Sequence, residues 1–323
     1  MSDARIEILH VGSACRDLTT DDPRGWRLGG GVTYAALTTA RLGLRTAAVV
    51  GADHLAAGAS ELDRLRLDGV ALRIVPLAEG PVFRNDEAVG GRVQTIVLTG
   101  HPLPVVEIPA SWVAARAWSI VPVAAEVTDD WATTVPAAAY MSVGWQGWLR
   151  TLVAGETVTR RAPSPSRLLA RADLVGLSRN DLAPGTRPEE LGQLLHPGAS
   201  LVVTEGGAGG QLLRFGLGGR SQALRYTALE TPGQVDPTGA GDTFLAALLA
   251  SIVRPSMASI ESDELVGPGE PHDWPALRAG LSFAAAAASL VVEAAGLTGV
   301  PDLATVVDRR ASGREGRDKS VPT

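Results

Sequence analysis

Val235-Asp236-Pro237-Thr238-Gly239-Ala240-Gly241-Asp242-Thr243-Phe244 is where the reading of this chain begins. The segment reads as a strand end, a turn of small residues, and a helix opening on an acidic residue. Phe244 to Ala250 is a run of good helix formers. Pro232 and Gly233 punctuate the chain before it, and Pro237 bars a continuous helix through the turn. The first N–H groups of a helix lack partners within it, and the helix dipole favours negative charge there. Gly239, Ala240 and Gly241 carry almost no side chain, so an anion can approach those N–H groups closely. A carboxylate at the same place, Asp242, would repel a resting phosphate. It suits an anion that forms during a reaction, with Asp242 taking a proton from the attacking group. Taken alone, the same residues read equally well as a capped helix start.

Upstream, Ile6 to Val11 reads as a buried strand ending in Gly12-Ser13 and feeding a loop that carries Asp17; Gly25 to Leu28 reads as a short second strand. Gly29-Gly30-Gly31 leads into an amphipathic helix closed by Gly43. Thr46 to Gly51 is an apolar strand and Ala59 to Asp68 a helix, which together give the grammar of a parallel α/β sheet. Residues 70–106 break it: Val70–Val75, Val82–Asn85, Val93–Leu98 and Val105-Val106 read as strands, with a hairpin turn at Gly90-Gly91. Such a block suggests a small β-lobe acting as a lid.

From Trp112 the alternation resumes, with strands over 117–121, 138–143, 174–177 and 200–204 and helices over 126–134, 164–170 and 188–195. A glycine turn at 206–210 and a hairpin from 211–215 and 221–227 precede the opening segment. Residues 255–272 read as a loop, followed by a long helix through Ala295, and 309–323 as a frayed tail. The clustered tryptophans from Trp112 to Trp148 read as packing residues, with sugar stacking by Trp145 or Trp148 as the alternative.

Net charge of −6 argues against a nucleic-acid-binding surface. One cysteine, Cys15, leaves no internal disulfide and no cysteine-built zinc site, and the five histidines show no paired metal spacing. No signal peptide is visible and the longest uncharged helical run is too short to span a bilayer, so the expectation is a cytoplasmic protein without membrane partners. The one lysine, Lys319, lies in the polar tail. A P-loop or a protein-kinase fold needs a lysine in its body. Any nucleotide phosphate must therefore be handled by backbone N–H groups, arginine and metal.

Asp236-x-Thr238-Gly239-Ala240-Gly241-Asp242-x-Phe244 resembles the second signature of the ribokinase-like (PfkB) family of carbohydrate and nucleoside kinases, with Pro237 in place of the usual threonine. Gly29-Gly30, running to Ala40-Arg41-Leu42-Gly43, resembles the first signature. Val203-Thr204-Glu205-Gly206-Gly207-Ala208-Gly209 resembles the family's Val-Thr-x-Gly-x-x-Gly, which lies against the nucleotide in relatives. Ser178-Arg179-Asn180-Asp181 stands where the family shows Asn-x-x-Glu, which orients magnesium and its waters. Asp181 has a shorter reach, so a metal contact through water is implied, beside the plain reading of a helix cap. Asp17 lies where relatives carry a substrate-binding aspartate, and Tyr34 where many carry an asparagine. These departures look closest to the branch containing myo-inositol kinases.

The resemblance implies a three-layer α/β/α sandwich with a small β-lid: one kinase domain over residues 1–308, a lid insert around 70–106 and a flexible tail over 309–323. It implies ATP and Mg2+, transfer of the γ-phosphoryl group to a sugar or cyclitol hydroxyl, and a homodimer through the lid. Asp242 would be the general base and Gly239, Ala240 and Gly241 the anion hole. Asp17, Gly29, Gly30 and Tyr34 would face the substrate, and Thr204, Gly206, Gly209 and Thr238 the nucleotide. A nucleoside kinase or another sugar kinase, and a non-catalytic regulator on the same fold, stay open as alternatives. An NAD or nucleotide-sugar enzyme is disfavoured, because Tyr34 stands where G-x-G-x-x-G needs its last glycine.

Overall fold

Every residue of the strand Ile8–Ser13 (β1) is buried, so both its faces are covered and the sheet it belongs to must be a middle layer. The structure is a computed structural model that describes residues 5–88, 91–216, 221–258 and 274–318. After β1 come β2 (Cys15–Leu18), β3 (Trp26–Gly29), helix α1 (Gly31–Arg41), β4 (Thr46–Ala52), α2 (His54–Ala57) and α3 (Ser60–Leu67). Then follow β5 (Ala71–Pro76), β6 (Val82–Ala88), β7 (Gly91–Leu98), α4 (Ala110–Val113), β8 (Ala117–Ile120) and β9 (Tyr140–Gly144). The short β10 (Arg150–Thr151) and β11 (Thr159–Arg160) precede β12 (Leu174–Ser178), β13 (Ser200–Thr204), β14 (Gly210–Phe215) and β15 (Ser221–Tyr226). The chain closes with α5 (Ala240–Val253), α6 (Trp274–Val291) and α7 (Leu303–Asp318).

The main sheet has nine strands in the order β15-β14-β13-β12-β9-β8-β1-β4-β5. Neighbours from β13 to β5 run parallel, and β14 and β15 add an antiparallel edge. Alternation sends Ile8, Ala117, Leu174 and Val202 to one face, under α5, α6 and α7, while α1 and α3 cover Ala48 and Val50 beside them. Leu9, Val11, Trp118, Ile120 and Val175 point to the other face.

That second face is covered differently from the expectation. The helices expected over 126–134, 164–170 and 188–195 are short 3-10 turns at Asp129–Thr133, Leu169–Arg171 and Pro188–Leu194. Side chains compete with a helix ladder here. Asp129 accepts from the Ser166 hydroxyl (2.6 Å) and the Leu168 N–H (3.2 Å). Gly192 runs so near the sheet that a Cβ would stand 2.5 Å from the Phe215 ring. Trp131, fully buried, fills the layer and donates its indole N–H to the Leu103 carbonyl (3.0 Å).

A second sheet, in the order β3-β2-β6-β7, stands over the end of β1. It corrects several expectations. Cys15–Leu18, read as loop, is a strand of this small sheet, paired on both sides. Ala71–Pro76, read with the lid block, instead pairs parallel with β4 as an edge of the main sheet. Val105-Val106 forms no strand. Gly90 of the expected hairpin turn lies outside the described residues, as do 259–273 of the expected loop and 319–323 of the tail. α7 continues helical to Asp318, past the expected start of fraying. α6 ends at Val291, short of Ala295, because the Val292 carbonyl is turned to accept from the Val235 and Asp236 N–H groups (2.7 and 3.1 Å). α6 is also the one helix among the described residues long and apolar enough to cross a membrane, and 61% of it is buried in the protein.

Trp131→Ala removes one of three fully buried tryptophans that fill the helix-poor face. Loss of about 3–5 kcal/mol of stability is expected for such a truncation. Urea unfolding measures it, and a loss below about 1 kcal/mol would mean that this layer packs without it.

Candidate active site

Helix α5 starts at Ala240 with no side-chain cap. The residue before it, Gly239, is left-handed (φ +80°), a conformation that favours glycine. The turn is held from outside. Asp236 accepts the Thr238 N–H on one carboxylate oxygen (2.9 Å) and the Gly296 N–H on the other (3.2 Å). The Ala240 N–H makes only a long contact with the Pro237 carbonyl (3.3 Å). The Tyr34 ring lies flush on Gly239, so any Cβ there would overlap it. Gly31 does the same service for α1: a Cβ on it would stand 2.7 Å from Asp242 Oδ1. The N-termini of α1 and α5 thus converge on Asp242.

They open into a cavity of about 540 Å3. Asp17, Gly30, Tyr34, Asp181, Thr204, Gly206, Thr238, Gly239, Ala240, Gly241 and Asp242 all line it. The other two expected site residues do not. Gly29 stands behind Asp17, where a Cβ would overlap the Asp17 carboxylate. Gly209 (φ +92°) shapes the β13–β14 turn against the Tyr226 carbonyl. Tyr34 is 1% exposed, and burial, with Asp236 and Asp17 nearby, pushes its hydroxyl well above the usual tyrosine value. It is therefore a packing support for the turn before α5 as well as a wall of the cavity. An amide does face the cavity, but from the small sheet: Asn85 and Gln94 sit opposite each other on β6 and β7, joined at 2.9 Å. Trp145 and Trp148 do not line it.

Charge in the cavity is uneven. Asp17, Asp181 and Asp242 share it with Arg150, a residue that sequence reasoning did not single out. Arg150 lies on β10, 5.9 Å above the Phe83 ring, with a long hydrogen bond to the Val123 carbonyl (3.5 Å). Burial lowers its affinity for the proton, and Asp181 and Asp242 raise it again; a guanidinium remains charged under any of these influences. Burial pushes the Asp242 carboxyl up to about 6; Arg150 pulls it down and Asp181 pushes it further up. The only earlier hint of Arg150 was the lack of a lysine in the body of the chain, which required an arginine without saying which.

Asp181 has two parts to play. Its Oδ2 accepts the Ser178 N–H (2.9 Å) while the Ser178 hydroxyl accepts the Asn180 N–H (3.2 Å), a capping box at the end of β12. The same carboxylate lines the cavity. Among the described residues no group of three or more His, Cys, Asp or Glu could hold a metal unaided. The donor set suits magnesium held mainly by phosphate oxygens and water, with Asp181 at its edge.

Residues 158–303, from β11 to the start of α7, match the family described as pfkB family carbohydrate kinase. No curated protein matches the chain by sequence. Among solved structures it is similar to ribokinase from Giardia lamblia (TM-score 0.68, 17% identity, 96% of this chain and 99% of that one). It is similar to Arabidopsis thaliana ribokinase complexed with ribose and ATP (TM-score 0.63, 20% identity, 95% and 99%). It is also similar to a pyrophosphate-dependent kinase in the ribokinase family complexed with a pyrophosphate analog and myo-inositol (TM-score 0.64, 19% identity, 90% and 96%). The fold is thus ribokinase-like, and the segment that carries the start of α5 matches the family model described as pfkB family carbohydrate kinase. The class is a phosphotransferase with an alcohol group as acceptor.

A side chain added at Gly241 meets nothing within 4 Å and points into open space at the turn. Gly241→Val is therefore expected to fold normally, bind polyol as seen by tryptophan fluorescence, and lose phosphoryl transfer at least about 100-fold, the scale of losing an oxyanion-type donor. Transfer at the wild-type rate would reduce the turn to a structural cap.

Proposed function

We propose that the protein transfers the γ-phosphoryl group of ATP to a hydroxyl of a sugar or cyclitol, with myo-inositol as the first candidate. The observation that carries this reading is the convergence of Asp242, the uncapped start of α5 and Asp17 on one cavity. A carboxylate such as Asp17 can accept from two vicinal hydroxyls, which suits a polyol. Asp242 takes the proton of the attacking hydroxyl. The N–H groups of Gly239, Ala240 and Gly241 and the Arg150 guanidinium meet the charge that builds on the transferring phosphoryl oxygens. Thr204, Gly206 and Thr238 wall the donor side. Asp181 would hold magnesium through water; bound there, the ion supplies charge neutralisation to the phosphates. The small sheet covers the acceptor side and excludes water, which limits idle ATP hydrolysis. The myo-inositol complex of the similar pyrophosphate-dependent kinase supports the cyclitol, and the ATP complex of the similar ribokinase supports the donor.

The test is phosphate-ester formation across a panel of myo-inositol, ribose, fructose and adenosine, with ATP and pyrophosphate each offered as donor. Turnover of a polyol with ATP is expected. Turnover of adenosine alone would remove the substrate assignment and keep the kinase.

Two variants test the roles. Asp242→Asn is expected to lower kcat by about 10²–10⁴-fold, the usual contribution of a positioned base. Because folding raises the Asp242 pKa, burial of its charged form costs stability at neutral pH, and that cost vanishes as pH falls below the ordinary aspartate value. The neutral asparagine should therefore match or exceed the wild-type Tm at pH 7.5, and a clear fall in Tm would contradict the burial argument.

The pH profile supplies a further check. Activity that depends on ionised Asp242 should rise with pH through about 6. Arg150→Met removes the neighbour that holds the Asp242 carboxyl down, so this acid limb should move to higher pH while the rate falls. A limb that stays in place would separate Arg150 from Asp242.

A further inference from the structure

The small sheet joins the main body at four crossings, and a buried carboxylate, Asp53, bonds to two of the segments that make them. β1 passes into β2 at Ala14, whose N–H donates to the Gly51 carbonyl (2.9 Å). β5 leads to β6 through Gly80 and Pro81, and the Pro81 carbonyl accepts the Arg16 N–H (2.9 Å). β7 returns past Gly100 (φ +75°), where a Cβ would stand 2.8 Å from the Pro81 ring. β3 returns at Gly30 (φ +104°), packed on the Ser13 carbonyl.

Asp53, 4% exposed, follows β4 at this junction. Its Oδ1 caps α2 through the Ala56 N–H (2.8 Å), which anchors it to the main body. Its Oδ2 accepts from Arg16 of the small sheet twice, at Nη2 (2.9 Å) and Nε (3.1 Å), and from the Gly80 N–H (3.4 Å). One oxygen therefore grips the body and the other grips β2 and the segment that leads into β6. Arg16 and Asp17 are neighbours on β2, so their side chains leave opposite faces of the strand. Fixing Arg16 on Asp53 turns Asp17 to the cavity.

We propose that Asp53 is a positioning residue for the acceptor: it fastens the small sheet over the cavity and, through Arg16, sets the place of Asp17. The inference rests on the kinase reading for its kinetic consequence, and on geometry alone for the fastening. Arg–carboxylate pairs of this kind, largely shielded from water, lose most when one partner is removed.

The test uses Asp53→Asn, which keeps an oxygen to cap α2, and Arg16→Met, which leaves that cap untouched. Hydrogen–deuterium exchange is read on β2 and β6 against β1 and β4, and KM is measured separately for acceptor and donor. Either variant should speed exchange in β2 and β6 at least tenfold with β1 and β4 unchanged. Either should also raise acceptor KM at least tenfold with kcat and donor KM within twofold. The double variant should be no worse than the single ones, because both break one interaction. Unchanged exchange in β2 and β6, equal acceleration throughout the body, matching rises in both KM values, or multiplying effects would overturn the proposal. Exchange needs no turnover, so a wild-type protein that phosphorylates no polyol would sink the kinase reading while the fastening stands or falls on its own result.

Discussion

The N-terminus of α5 has no side-chain cap, and much of the surrounding structure serves to keep it open. An ordinary helix would satisfy these N–H groups with a serine, threonine or aspartate side chain, and losing such a cap costs about 1 kcal/mol. Here the cost is offset by Asp236, which holds the turn from behind through Thr238 and Gly296 without covering its front. Glycine stands where the backbone must nearly touch a side chain: Gly239 under the Tyr34 ring and Gly31 beside the Asp242 carboxylate. The parallel sheet delivers α1 and α5 to the same end of β1, so the two uncrowded helix starts face one cavity.

Charge completes the arrangement. Three carboxylates and one guanidinium around a cavity are poorly disposed to a polyphosphate in isolation. The imbalance is tolerable because a donor arriving with a divalent cation brings its own compensation. Arg150 is the one cationic side chain among the described residues that line the cavity. Its rigid planar fork suits phosphoryl oxygens better than a lysine would, which fits a chain with no lysine before its tail.

Much of this was legible in the sequence where residue type and local shape coincide. Glycines before a helix and a carboxylate at its start mark where α5 opens, and the strands of the sheet centre announce themselves by unbroken apolar runs. What was not legible depended on distant contacts. Cys15–Leu18 is short and polar, and becomes a strand only because β3 and β6 flank it. Ala71–Pro76 looks like its neighbours in the lid block, and only pairing with β4 assigns it to the main sheet. The layer of 3-10 turns arises from side chains such as Asp129 that bond across the chain rather than along it. Arg150 sits on a two-residue strand with no periodic signal, one arginine among many. Gly29 and Gly209 were read as ligand contacts, but they act one step back, against Asp17 and the Tyr226 carbonyl.

The central claim is that phosphoryl transfer takes place between Asp242 and the uncapped start of α5. A crystal structure with ADP, magnesium, aluminium fluoride and myo-inositol tests it most directly, because the planar fluoride imitates the phosphoryl group in flight. The account predicts the fluoride within hydrogen-bond distance of the turn N–H groups and of Arg150, with one inositol hydroxyl directed at Asp242 and others at Asp17. A fluoride bound away from residues 239–241, or an acceptor hydroxyl turned from Asp242, would contradict it.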